Sequence, residues 1–459
     1  MSGLLPFLCM TLAQLPPIRT VDASSPGDPA LAAGTDMPFR ALEFLNSYAP
    51  VFLVAFVVTL LATPIVRRVA VWLEIIDKPD QTRKLHKFPI AYLGGFAVFA
   101  GLITAIMYSL FLMKGPAGHY APVPMAVVLG ILVITFTGLA DDTWGWDPRL
   151  KIAGQLVAAA ALAMENVGVR VAEGALVHFL GPSDALLLSV AGMEIHNAQL
   201  YYWVGTAIIA IFVLGGCNAT NLIDGLDGLL SGVIAIMMIG FLAVSLLMAT
   251  LNTAADPTTS LAGARIVICL ATLGAVLGFL PWNFNPAVIF LGDCGSLLLG
   301  YLSVVVILMF GAEGETHLVI AGLIIFALPI MDTLLAIVRR KLAGVPFSTA
   351  DSNHIHHQLR RALGGVKKAV FALYGITLAF SILGTALAAL VLTHGIRLQV
   401  VYSLAMVLFA FIAAIAIKAA RRQQWEGMMA TAAAQKQSVP ASPPAPAAAA
   451  GPLDPATPR

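Results

Sequence analysis

The chain has 459 residues, of which 59% are hydrophobic and 11% are charged, against about 45–50% and about 25% in ordinary globular proteins. This composition excludes an ordinary soluble protein and predicts an all-α, polytopic integral membrane protein. The net charge of +2 gives no reason to expect a nucleic-acid partner, and the four scattered cysteines predict no disulfide framework.

Eleven apolar segments are predicted to cross about 30 Å of hydrocarbon. They run over 48–66, 92–113, 124–140, 152–164, 202–217, 229–250, 262–280, 297–310, 318–338, 369–393 and 400–417. Residues 1–46 form an N-terminal extension, and 47–420 form the transmembrane domain. The Ala- and Pro-rich stretch 421–459 is predicted to be a disordered cytoplasmic tail.

The distribution of positive charge predicts the orientation. Most of the 26 Lys and Arg residues lie in the tail and in loops that follow odd-numbered spans. The positive-inside rule makes those loops cytoplasmic, with the N-terminus outside and the C-terminus inside. The external segment 165–199 is predicted to contain a small hairpin around 169–180.

The densest polar motif, 218–228, follows the fifth span. Its amides and carboxylates are spaced by three residues: Asn218, Asn221, Asp224 and Asp227. On a helix this spacing drifts by about 60° per step, so the helix should end inside the motif, with Gly225 and Gly228 permitting a tight turn. Oxygen ligands around such a turn suit Mg²⁺ and a phosphate-bearing substrate. The alternative is a helix end capped by its own side chains.

Other carboxylates lie at predicted cytoplasmic span ends. Asp141 and Asp142 are adjacent and repel each other unless a cation relieves them, as expected of a base or a metal partner. Lys151, at the start of the next helix, can lie at the same cytoplasmic end as these aspartates and contact phosphate. A helix-terminal or turn role is the alternative for the two aspartates. Asp293, between two glycines, offers one more oxygen ligand.

Two further loops carry groups suited to anions. Lys87 belongs to a basic loop that either holds phosphate or lipid headgroups, or only sets topology. In the ninth span, Asp332 either pairs with Arg339 or Arg340, or is catalytic. The next loop carries three histidines that could contact phosphate or bind a transition metal. Without a nearby cysteine, phosphate contact is favoured over zinc. These histidines are His354, His356 and His357.

The motifs taken in order resemble a known family. They are Asp-Asp with a downstream Lys, Asn-x-x-Asn-x-x-Asp-Gly-x-Asp-Gly, Asn-Phe-x-Pro-Ala before Gly-Asp-x-Gly-Ser, and His-Ile-His-His. Over residues 77–359 the chain resembles the polyprenyl-phosphate N-acetylhexosamine-1-phosphate transferases of glycosyltransferase family 4, relatives of the phospho-MurNAc-pentapeptide transferase. Its spans fit the eleven-helix form of that family. It departs from the family at 89–93, which read Pro-Ile-Ala-Tyr-Leu where Pro-x-Pro is common.

The resemblance implies an Mg²⁺-dependent reaction, with Mn²⁺ as an alternative. A sugar-1-phosphate, GlcNAc-1-phosphate as first choice, passes from a UDP-sugar to undecaprenyl phosphate and UMP leaves. This would be the first membrane step of cell-envelope polysaccharide synthesis, such as that of O-antigen. The enzyme would lie in the bacterial inner membrane with its active site facing the cytoplasm. The partners implied are the UDP-sugar, the polyprenyl phosphate and the membrane, and a homodimer stays open.

The family's roles carry over by motif. Asn221 and Asp293 would be the metal ligands, and Asp141, Asp142 and Asp224 the catalytic carboxylates. The predicted substrate-binding residues are those that would hold uracil, phosphates and sugar: Lys87, Lys151, Asp227, Phe290, His354, His356 and His357.

Two other readings stay open beside this one. His-Ile-His-His favours the acetylhexosamine branch over a phospho-MurNAc-pentapeptide transferase activity. A cation-coupled transporter would place carboxylates near the bilayer midplane and often shows internal repeats, whereas the motifs here gather at span ends. The residues do not decide between direct attack by the lipid phosphate and an aspartyl-phosphate intermediate.

Overall fold

The computed structural model of the protein describes residues 29–77, 89–111, 122–190, 193–251, 261–344 and 354–394, with parts of 400–429. The predicted substrate residue Lys87 and most of the predicted tail lie outside these residues. The helices are α1 (Pro29–Trp72), α2 (Gly94–Phe111), α3 (Met125–Trp144), α4 (Pro148–Met164), α5 (Arg170–Leu180), α6 (Asn197–Ile223), α7 (Leu229–Leu251), α8 (Ala262–Asn283), α9 (Gly292–Phe310), α10 (Thr316–Ile325), α11 (Ala327–Ala343), α12 (Ile355–Leu363) and α13 (Val366–His394).

Within the described residues, eight helices are long and apolar enough to cross a membrane: α1, α2, α3, α6, α7, α8, α9 and α13. Helices α10 and α11 make a ninth candidate if taken together, although they meet at a bend of 76°. The two other predicted spans correspond to the 17-residue α4 and to a shorter apolar helix, Val400–Phe411. The protein is thus a mostly helical, multi-pass membrane protein, and the count of eleven spans stays a prediction.

Helices α8 and α9 form the centre of the bundle. In the most apolar window of each, 89% and 94% of the residues are buried, against 22% in α1 and 28% in α13. The exposed faces of the outer helices carry large apolar side chains such as Leu61 and Ile382. Lipid is as apolar as these side chains, so the outer faces suit a bilayer.

Glycines bring the start of α9 close to two neighbouring helices. A Cβ on Gly95 of α2 would overlap the backbone nitrogen of Gly295, and a Cβ on Gly138 of α3 would overlap Cα of Cys294. Small residues let membrane helices approach at backbone distance. The first turn of α9, which carries Asp293, is therefore held between α2 and α3.

A small sheet sits beside that turn. Strand β1 (Ile76–Asp77) pairs antiparallel with β2 (Ile90–Ala91). The sheet continues into the loop before α9, because Phe290 N donates to Ala91 O at 2.8 Å and Gly94 N donates to Phe290 O at 2.9 Å. These bonds fix the stretch between β2 and α2 against the loop that leads to Asp293.

The predicted hairpin at 169–180 is wrong. Those residues form helix α5, and the hairpin follows it as β3 (Leu186–Val190) and β4 (Met193–His196). Helix α5 buries Val171 and Ala172 on one face, and Arg170 bonds Glu173 three residues on. Burial on one face and i,i+3 pairing are helical features that outweigh the β-branched valines.

Candidate active site

Three charged side chains from three helix ends are in direct contact. Lys151 Nζ lies 2.9 Å from Asp141 Oδ2 and 2.5 Å from Asp293 Oδ2. Burial alone would lower the pKa of Lys151, but the hydrogen bonds and charges of Asp293 and Asp141 outweigh it and raise that pKa. Lys151 is therefore a cation between two carboxylates. The prediction that Lys151 lies at the same end of the helices as Asp141 is confirmed.

The turn between α3 and α4 explains how Lys151 returns. Helix α3 ends at Gly145 in the left-handed region, with φ of 63°, a conformation that favours glycine. Asp147 then caps α4 by accepting a 2.8 Å hydrogen bond from Arg149 N, and Pro148 occupies the first helical position. Lys151, one turn into α4, thus lies next to the end of α3.

Asn221 joins the end of α6 to the same cluster. Its side-chain nitrogen donates to Asp293 Oδ1 at 2.8 Å and to Ser296 Oγ at 3.0 Å. Thr220 adds a 2.8 Å hydrogen bond to the carbonyl of Ser296. The two residues predicted as metal ligands, Asn221 and Asp293, are therefore neighbours, although their role as ligands stays a prediction.

Asp142 has a different setting from its neighbour Asp141. Its two oxygens accept hydrogen bonds from Asp293 N at 2.8 Å and Cys294 N at 2.9 Å. Gly292 leaves room for this carboxylate, because a Cβ there would meet it at 2.5 Å. Asp142 thus satisfies the first free N–H groups of α9. This is the helix-terminal role that the sequence left open, and a catalytic role for Asp142 stays a prediction.

Asp224 follows the last residue of α6. The predicted helix end inside the motif is confirmed: α6 stops at Ile223 and Gly228 has φ of 74°. Burial, followed by the charges of Asp293, Asp142 and Asp227, raises the pKa of Asp224 to about 8. Burial and the neighbouring carboxylates therefore disfavour a negative charge on Asp224.

The donor set suits a hard divalent cation. The carboxylates of Asp141, Asp224 and Asp293 and the amide of Asn221 offer oxygen atoms, which Mg²⁺ prefers. Rotating the Asn221 amide by 180° would present its oxygen in place of its nitrogen. Among the described residues, no group of three or more His, Cys, Asp or Glu side chains is arranged for direct coordination. Mg²⁺ retains waters and takes substrate phosphate oxygens, so it needs few protein ligands.

Asp227 and Phe290 are the residues predicted to hold uracil. Asp227 contacts the segment between α8 and α9, and Phe290 belongs to that segment. Asp227 Oδ2 accepts from Asn285 Nδ2 at 2.8 Å and from Ala287 N at 3.1 Å. The ring of Phe290 packs against Tyr92 with 6.0 Å between centroids. The structure gives Asp227 a part in holding this segment, and the uracil contacts stay a prediction.

Tyr92 borders the cluster and was missed from the sequence. Burial, followed by the charges of Asp77, Asp142, Asp293 and Asp224, raises the pKa of Tyr92 to about 12. Its hydroxyl therefore remains a neutral hydrogen-bond donor near the carboxylates. The sequence feature that could have indicated Tyr92 was the departure from the family pattern at 89–93, which includes this residue.

The three histidines pack on one another. His354 and His356 stack with centroids 5.7 Å apart and planes within 5°, and His357 lies 4.2 Å from His356. A Cβ on Gly225 would overlap Nε2 of His356, so this ring lies directly over the turn that carries Asp224. Burial, followed by the charge of His357, lowers the pKa of His356 to about 3. His356 is therefore neutral at physiological pH.

Asp332 is the second residue whose contacts the sequence analysis did not identify. His354 Nδ1 lies 3.0 Å from Asp332 Oδ2, and Ile355 N donates to Asp332 Oδ1 at 2.8 Å. The sequence offered Arg339 and Arg340 as its partners, since they are about two turns away on the same helix. The structure adds these two contacts across the loop, which sequence spacing could not indicate.

Comparison with known proteins assigns the family. Residues 124–311 match the model of glycosyl transferase family 4. A probable undecaprenyl-phosphate N-acetylglucosaminyl 1-phosphate transferase of Bacillus subtilis is 31% identical over 337 residues, covering 72% of this chain and 82% of the relative. A decaprenyl-phosphate N-acetylglucosaminephosphotransferase of Mycolicibacterium smegmatis is 31% identical over 365 residues, with 74% and 80% covered. An undecaprenyl-phosphate alpha-N-acetylglucosaminyl 1-phosphate transferase of Escherichia coli is 29% identical over 326 residues, with 70% and 77% covered.

The matched family region contains the contacts described above between Asp141, Lys151, Asn221 and Asp293. It also spans helices α3 to α9, whose ends carry those residues. From the identity with its relatives and the length that they share, the chain belongs to glycosyl transferase family 4.

Proposed function

We propose that the protein transfers GlcNAc-1-phosphate from UDP-GlcNAc to undecaprenyl phosphate, releasing UMP. The observation that carries the proposal is the contact of Lys151 with both Asp141 and Asp293, beside Asn221. It joins three motifs at the ends of four helices into one charged site. The names of the relatives from Bacillus subtilis and Escherichia coli support undecaprenyl phosphate as the lipid and GlcNAc as the sugar.

The reaction needs positioning and charge neutralisation more than covalent help from the protein. An oxygen of the lipid phosphate attacks the phosphorus that carries the sugar, and the bond from that phosphorus to the UMP oxygen breaks. The products are polyprenyl-diphosphate-GlcNAc and UMP. A bound Mg²⁺, held by Asn221 and Asp293, would neutralise charge on the diphosphate.

Individual side chains have distinct parts in this proposal. Asp141 takes any proton left on the lipid phosphate, while its hydrogen bond to Lys151 fixes its orientation. Lys151 also provides positive charge where phosphate oxygens approach. Asp224 lies near the same carboxylates, so its ionisation responds to a cation that binds them. The histidines contact phosphate or sugar above the turn at Gly225.

The orientation of the site is part of the proposal. The basic cluster at the end of α11, with Arg340 and Lys341 in its last turn, leads into the segment before His354. By the positive-inside rule this end faces the cytoplasm. The same end carries the carboxylate cluster, so both substrates would be met from the inner face of the bacterial cytoplasmic membrane.

The test is UMP release by purified protein in detergent, with a short polyprenyl phosphate, Mg²⁺ and a panel of UDP-sugars that includes UDP-MurNAc-pentapeptide. We expect release from UDP-GlcNAc that stops with EDTA and in the Asp293→Asn variant. Asp184→Asn, before α6 and at the opposite end of that helix from Asn221, is the matched control and should stay active. Release only from another donor would overturn the sugar assignment, and no release from any donor would overturn the reaction.

A further inference from the structure

Asp332 is a buried carboxylate with both oxygens engaged. Its side chain is 0% exposed, and it belongs to α11, 22 residues before His354. Oδ1 accepts the Ile355 N–H at 2.8 Å, and Oδ2 lies 3.0 Å from His354 Nδ1. A buried carboxylate is costly unless it is hydrogen-bonded, so these two contacts account for its place in the helix.

The contact with His354 defines which ring nitrogen carries hydrogen. An ionised carboxylate only accepts hydrogen bonds, so the Nδ1 atom that faces it must be protonated. In the neutral ring the other nitrogen, Nε2, then carries the lone pair. The same carboxylate stabilises the ring when Nε2 also takes up a proton, since it lies beside the positive charge.

A second contact joins Asp332 to the fold of the site. The N–H of Ile355 is one of the free donors at the start of α12, and a negative charge there is favoured by the helix dipole. His356, on the first turn of α12, stacks on the ring of His354 and lies over Gly225. Contacts therefore run without a gap from Asp332 through the histidines to the turn that carries Asp224.

We propose that Asp332 is a positioning residue. By holding Nδ1–H of His354 and the start of α12, it directs Nε2 of His354 toward the substrate. When Nε2 also carries a proton, the positively charged ring donates a charge-assisted hydrogen bond from Nε2 to a phosphate oxygen of the substrate. The inference rests on the proposed function, since it names the group that meets phosphate in that reaction. It adds a residue from the bent α10–α11 pair to the site.

The main test compares wild type with Asp332→Asn. An asparagine of the same shape can still accept the Ile355 N–H, but its amide can donate to Nδ1, which favours the tautomer with hydrogen on Nε2 and removes the charge support. We expect KM for UDP-GlcNAc to rise on the order of ten-fold or more, as for loss of a charge-assisted hydrogen bond. A merely structural role would lower the amount of active enzyme, and hence apparent kcat, without raising KM.

A double-mutant cycle with His354→Gln separates an effect through the histidine from an independent one. If Asp332 acts through His354, Asp332→Asn adds little to the defect of His354→Gln. Two effects that multiply in full would overturn the proposal. Thr333→Val, on the next residue of α11, removes a hydroxyl that donates within its own helix, to Pro329 O at 3.0 Å, and should leave KM unchanged.

A measurement that needs no activity keeps the outcomes distinct. In ¹⁵N-histidine-labelled wild type, one ring should carry hydrogen on Nδ1, and loss of its signal in His354→Gln assigns it. That result stands even if Asp332→Asn fails to fold. Hydrogen on Nε2 alone in wild type would overturn the positioning proposal while UMP release continues. Absence of UMP release with the expected spectrum would instead overturn the proposed function.

Discussion

The ammonium group of Lys151 lies 2.5 Å from the carboxylate of Asp293, although the first belongs to α4 and the second to α9. The same nitrogen contacts Asp141 at 2.9 Å. A single cation thus holds together carboxylates from two helices that would otherwise repel each other. Removing this ammonium group should lower both the enzyme activity and the stability, and each effect can be measured separately.

Lys151→Met should reduce UMP release by on the order of 10²-fold or more, because the substrate phosphates lose a fixed positive charge. Without divalent cations the variant should also unfold at a lower temperature, since Asp141 and Asp293 are left unpaired. Mg²⁺ should therefore raise the unfolding temperature of the variant more than that of wild type. Lys368→Met, at an exposed position of α13, is the control; equal shifts in all three proteins would contradict the prediction.

The adjacent carboxylates Asp141 and Asp142 should respond differently to removal. Asp142→Ala deletes the acceptor for two N–H groups at the start of α9 and should cost about 1–2 kcal/mol of unfolding free energy, as for loss of a helix cap. Asp141→Ala should abolish UMP release with a smaller loss of stability, because its oxygen pairs with a partly exposed lysine that keeps its second partner, Asp293. Thermal unfolding and UMP assays on both variants check the contrast. A larger stability loss for Asp141→Ala would reverse the assignment.

Stability should fall as pH rises through the titration range of Asp224. In the folded protein the pKa of Asp224 is raised to about 8 by burial and neighbouring carboxylates, whereas an unfolded aspartate has a pKa of about 4. Between these values the folded state keeps a proton that the unfolded state loses, so raising the pH favours unfolding. In EDTA, Asp224→Asn should lose this component and unfold at a higher temperature than wild type at pH 8. Asp184→Asn should follow wild type, and a parallel pH dependence in Asp224→Asn would refute the explanation.

The close approach of α2 and α9 predicts a large effect from a single methyl group. Gly95→Ala places a Cβ against the backbone of Gly295, and such overpacking costs about 1–3 kcal/mol. The turn carrying Asp293 should shift with it, so UMP release should fall as well. Gly375→Ala, where a Cβ meets nothing within 4 Å, should be neutral or slightly stabilising. Equal behaviour of the two variants in thermal unfolding would contradict the packing argument.

Local chemistry predicted some parts of this site and could not predict others. The end of α6 and the return of Lys151 follow from residues close in sequence, chiefly Gly228 and Gly145, whose backbone conformations favour glycine. The capping of α9 by Asp142 depends on a contact across 151 residues, which no spacing rule covers. The bond from Asp332 to His354 also depends on how two helices meet. Sequence alone therefore identified the charged residues more readily than their partners.

The hairpin of β3 and β4 offers a place to mount a probe. It precedes α6, whose 27 residues extend about 40 Å at 1.5 Å per residue, and the turn of Asn221 and Asp224 lies at the far end. An epitope or fluorophore placed between Val190 and Met193 would therefore lie far from the chemistry. Its accessibility in intact and opened cells would report which end of α6 faces outward, without altering the residues that handle phosphate.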